Sequence, residues 1–62
     1  MNTWINAKTN EIEYFEGFPP QDRIKEFMPQ IPTVGTLYDL YIMKGETHED
    51  AFILVLEACI VD

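Results

Sequence analysis

A chain of 62 residues makes one small domain with little interior, because at this size folding buries only about 60% of the surface the unfolded chain exposes. Eleven acids against four bases give a formal charge of -7, which disfavours approach to DNA, RNA or an anionic membrane through a negative field. The single cysteine, Cys59, excludes an intrachain disulfide, and 47% hydrophobic content with 13% aromatics argues against disorder.

In chain order, residues 4–7 and 11–15 flank Lys8, Thr9 and Asn10, and Asn10 suits a left-handed turn position. This predicts a β-hairpin, with Trp4, Ile12 and Tyr14 as candidates for its packed face. Gly17, Phe18, Pro19 and Pro20 then break the strand. Residues 21–28 place Ile24, Phe27 and Met28 at helical spacing, with Asp22 and Glu26 turned to water, which predicts a short helix ended by Pro29. Residues 30–35 read as a proline-punctuated connector too short to separate two domains, so residues 1–62 read as one small acidic α+β domain.

Beyond the connector, Thr36 is a candidate cap for a helix carrying Leu37, Leu40 and Tyr41, stopped by Gly45 in a left-handed conformation. Thr47, with Asp50 three residues on, approximates a capping box for a helix from about His48 to Ile60. Residues 51–61 are apolar at every position but Glu57. The cap, the acidic first turn and the length favour helix, and such a helix needs enclosure by the earlier elements or by another chain. The expected fold is therefore a small α+β domain, an N-terminal β-hairpin followed by about three short helices. The rival reading pairs residues 37–43 and 52–61 as strands, giving a ββαββ four-stranded antiparallel sheet with one helix.

Candidate chemistry is sparse. His48 stands beside Glu46, Glu49 and Asp50, but neighbours on a helix do not converge on one ion or one proton, so neither a metal site nor a catalytic pair is expected. Cys59 lies in an apolar run and reads as an inert small hydrophobe. No cofactor motif is present, and the expectation is a protein that is not an enzyme. Residues 1–4 lack the basic start of a leader, and no apolar run approaches the ~18 residues of a membrane span, which together with the lone cysteine leads us to expect a cytoplasmic protein.

The carboxylates and aromatics carry the functional expectation. Asp39, Glu46, Glu49 and Asp50 form one candidate acidic patch, Glu11, Glu13 and Glu16 a second, and Tyr38 and Tyr41 are candidate partner anchors beside Tyr14. Acids spaced on one surface imitate a phosphate backbone and fit the basic groove of a nucleic-acid-binding protein. In size and charge alone the chain resembles small accessory proteins of phages and mobile elements that bind and inhibit host proteins. The expected function is an acidic modulator or inhibitor that engages a partner protein with a basic surface, without contacting nucleic acid or membrane itself. The alternative is a structural or regulatory homo-oligomer, a homodimer in its simplest form, with residues 51–61 as the subunit interface.

Overall fold

The computed structural model describes residues 2–60 and divides the chain into two compact units, Met1–Gln30 and Ile31–Asp62. The fold is α+β: an antiparallel hairpin, one 3₁₀ turn and two α-helices, so a single turn stands where the first of three helices is expected.

The hairpin pairs β1 (Asn2–Asn6) with β2 (Glu11–Phe15). Asn10 takes a positive φ of 65°, and its N–H donates to the Asn6 carbonyl at 2.6 Å, closing a four-residue loop. The loop sets the register: Asn6 opposite Glu11, Ile5 opposite Ile12, Trp4 opposite Glu13 and Thr3 opposite Tyr14. Residues directly opposite share a face. Trp4, Asn6, Glu13 and Phe15 therefore lie on one side and Thr3, Ile5, Ile12 and Tyr14 on the other. The packed side is the first, which corrects the expected grouping of Trp4 with Ile12 and Tyr14; these last two are 60% and 66% exposed.

The 3₁₀ turn Ile24–Phe27 covers that packed side. Phe27 meets Phe15 edge-on at 5.6 Å, and Trp4 lies against Phe18 at 5.4 Å while its Nε1–H donates to the Gly17 carbonyl at 2.8 Å. The backbone N–H of Ala7 donates to the Glu26 carbonyl at 2.8 Å, tying the hairpin loop to the turn. Ile24, Phe27 and Met28 are buried, as their spacing predicts. The α-helix expected over 21–28 is a single turn because prolines at 19, 20 and 29 confine it, and Arg23 N–H bonds back to the Pro20 carbonyl.

In the second unit α1 (Pro32–Met43) packs on α2 (His48–Ile60). Helix α1 begins with Pro32 at its first position, where the missing N–H costs nothing. Thr36, expected as the cap, is inside the helix, and its hydroxyl donates to the Pro32 carbonyl at 3.1 Å. Gly45, at φ 100°, ends the helix as expected. The Thr47 hydroxyl accepts from the Asp50 N–H at 3.1 Å and sets the start of α2. The strand reading of this segment is thereby corrected as far as Ile60; Val61 lies outside the described residues.

Ala51, Phe52 and Val55 are fully buried, and Val34 and Tyr38 are the buried positions of α1. Helix α2 is not enclosed on every side: Leu54 and Leu56 are half-buried and Ile53 is exposed. Among the described residues no helix is long and apolar enough to cross a membrane.

Candidate partner-binding surface

A short loop joins α1 to α2, so Glu46 in the loop and Glu49 and Asp50 in the first turn of α2 are gathered at one end of the helical unit. All three are exposed. Asp39, also exposed, lies on α1 about one turn back from that end. Carboxylates at the start of α2 are favoured there by the partial positive charge of unsatisfied N–H groups, which is the local reason the chain tolerates Glu49 and Asp50 side by side. Glu57 is exposed further along α2. Residues 31–62 hold six acids and one base, -5 in all, against five acids and three bases, -2, in residues 1–30.

The two tyrosines of α1 differ in availability. Tyr38 is only 4% exposed and is core, which removes it from the candidate surface: it falls on the same helical stripe as Val34. Tyr41 is half-buried, and the Lys44 ammonium sits 5.9 Å from its ring centre. On the outward side of α1 stand Leu40, 49% exposed, and Met43, 81% exposed, which the sequence reading did not single out. They are three residues apart and share a face with Asp39, so apolar contact area and carboxylate occur together.

The second expected acidic patch is not assembled. Glu11 and Glu16 are exposed, but Glu11 opens β2 and Glu16 follows its far end, roughly 17 Å apart at strand rise. Glu13 is turned inward and held by Arg23. The guanidinium donates from Nη1 to Oε1 at 2.8 Å and from Nη2 to Oε2 at 2.6 Å, and Nη2 also reaches Glu26 at 3.2 Å. Asn6, fully buried, donates from Nδ2 to Glu13 at 3.0 Å and to Glu26 at 2.8 Å, while its Oδ1 accepts from the N–H groups of Lys8 and Thr9.

These bonds, the Arg23 contact first and the Asn6 amide second, hold the Glu13 and Glu26 carboxyls below the ordinary carboxylate range. The cluster sets one guanidinium against two carboxylates and pins the 3₁₀ turn to the hairpin, so Glu26 does not face water as expected. Its sequence signal was Asn6 just before the loop, where an Asx side chain bonds backbone two or three residues on.

Cys59 is exposed, whereas its apolar neighbours suggest burial. Among the described residues no three His, Cys, Asp or Glu side chains gather as a metal site would require. No protein-family model, curated protein or solved structure matches the chain.

Proposed function

We propose that this chain is a small acidic binding module that engages a basic surface on a partner protein and modulates it. The observation that carries the reading is the disposition of charge: in the helical unit Asp39, Glu46, Glu49, Asp50 and Glu57 are all exposed, with Lys44 the one base. Exposed acids in such excess raise the field outside the unit, accelerate encounter with a cationic surface and reject acidic partners. Affinity needs desolvated contact area as well, and Leu40 and Met43 supply it beside Asp39. A surface of this kind suits the groove of a nucleic-acid-binding protein, where its carboxylates take the places of phosphates.

The oligomer reading through residues 51–61 has less to draw on. Ala51, Phe52 and Val55 are already buried within one chain.

The test is capture of a partner on the immobilised full chain, followed by a salt titration. The expected result is a basic protein whose complex weakens steeply as salt rises and is lost in the combined variant Glu46→Gln, Glu49→Gln, Asp50→Asn. A partner retained by that variant, or held with no salt dependence, would overturn the reading.

A further inference from the structure

The sheet has only two strands, so each of them is an edge strand. At the loop end of β1 the backbone N–H groups of Ala7 and Lys8 both donate to the Glu26 carbonyl, at 2.8 and 3.3 Å, and the 3₁₀ turn ties that strand down. Nothing comparable holds β2. Outside its ladder with β1, no backbone hydrogen bond among the described residues involves residues 11–16. An antiparallel ladder turns every second residue of a strand away from its partner, which leaves the outer edge of β2 with a row of unpaired N–H and C=O groups. The sheet face above that edge is apolar and bare: Ile12 is 60% and Tyr14 66% exposed, and Ile5, 64% exposed, lies directly across from Ile12.

We propose that the open edge of β2 takes up an extended, basic segment of a partner protein as a third strand. Three features select that occupant. The first is the chemistry of the edge itself, since donors and acceptors repeating at strand spacing are satisfied together only by another extended backbone. The second is what the sheet lacks. A two-stranded hairpin with one face wet is at the margin of stability, and a third strand carries it past that margin. Apolar side chains at alternate positions of the added segment also continue the surface of Ile12 and Tyr14.

The third feature is charge. Strand β2 and the residue after it carry Glu11, Glu13 and Glu16 and no base. Glu13 is matched by Arg23, but Glu11 and Glu16 are exposed and make no ion pair among the described residues. Opposite charges are favoured across neighbouring strands and like charges are not. A segment bearing lysine or arginine is therefore preferred, and the β2 of a second copy, which brings further glutamates to the seam, is disfavoured. Glu46, Glu49 and Asp50 of the helical unit take no part, so this edge and the acidic surface of the proposed function stand or fall separately.

The probe is an acetylated and amidated heptapeptide that alternates lysine and valine. Strand β2 is five residues long, so the seam is short and the affinity falls between about 10 µM and about 1 mM. Titrated into the full chain at about 0.15 M salt, the peptide should move the backbone amide resonances of residues 11–16. Two further peptides carry backbone N-methyl groups, one on its lysines and the other on its valines. Only alternate residues of an added strand point their N–H toward the sheet, so one methylated peptide should bind at least about tenfold more weakly while the other matches the parent. Ile12→Lys, at an exposed position, should weaken the parent peptide at least about threefold, because an edge lysine repels its lysines and removes apolar contact.

Four results would overturn the proposal: no binding by about 1 mM, methylated peptides that behave alike, a parent peptide indifferent to Ile12→Lys, or shifts confined to residues 31–60. The last would mean attraction to the acidic helices alone. Shifts at residues 11–16 that follow protein concentration without peptide would place a second copy on the edge and overturn it as well. Should Ile12→Lys unfold the chain, the methylated pair decides.

Discussion

Asn6 is the most consequential single side chain of the hairpin unit. Its amide closes the loop backbone through Lys8 and Thr9 and at the same time donates to two carboxylates. Removing it leaves buried donors and acceptors without partners, so Asn6→Ala should destabilise the fold by about 1–3 kcal/mol in urea unfolding, well above an ordinary loop substitution. Glu13 and Glu26 link this cluster to pH. Their folded pKa values lie below the unfolded carboxylate value of 4.5, so the unfolded chain takes up protons first on acidification. The stability they confer is complete above that value and is lost as pH falls through it to the lower folded values. The melting temperature should drop over that interval by less in Glu13→Gln than in the unaltered chain. Comparing the two cancels the general relief of repulsion as other carboxylates protonate. Little of this was legible in the sequence: Asn6, Glu13, Arg23 and Glu26 are brought together only by a strand register and a tight turn, and neither is fixed by residue type.

Elements were more legible than contacts, because their boundaries are written in local chemistry. Asn10 at the loop, Gly45 after α1 and Thr47 before α2 each occupy the conformation or make the bond their residue type predicts. The start of α1 was missed because Thr36 and Gly35 drew the boundary inward, while Pro32, equally suited to a first helical position, was read as part of a connector. Gly45→Ala at φ 100° should cost about 1 kcal/mol or more, since a Cβ is strained there even though no atom stands within 4 Å of it. Within α2 the uniform apolar run concealed which residues are core. Phe52, fully buried, should lose about 3–5 kcal/mol on truncation to alanine, whereas half-buried Leu54 should lose distinctly less in the same assay. Equal losses would mean that α2 is enclosed on a side where Ile53 and Glu57 are exposed.

Over the whole molecule, charge and apolar surface are segregated in a way that folding alone does not require. The hairpin unit sets two of its carboxylates against the Arg23 guanidinium, while Glu46, Glu49, Asp50 and Glu57 of the helical unit are exposed. Like charges held at that density repel, so a chain selected only for stability gains by losing some of them. Glu46 gives the cleanest measure: it sits in the loop before α2, outside the first turn that rewards a carboxylate, so Glu46→Gln relieves repulsion and forfeits no helix-dipole attraction. Glu49→Gln and Asp50→Asn each forfeit about 0.3–1 kcal/mol of that attraction while relieving the same repulsion. Glu46→Gln should therefore raise the melting temperature slightly at low ionic strength, the triple variant should stay within about 1 kcal/mol of the unaltered chain, and both differences should shrink as salt screens the field. If the triple variant instead fails to fold, the carboxylates are structural, and the division between a less charged scaffold and an acidic binding surface does not hold.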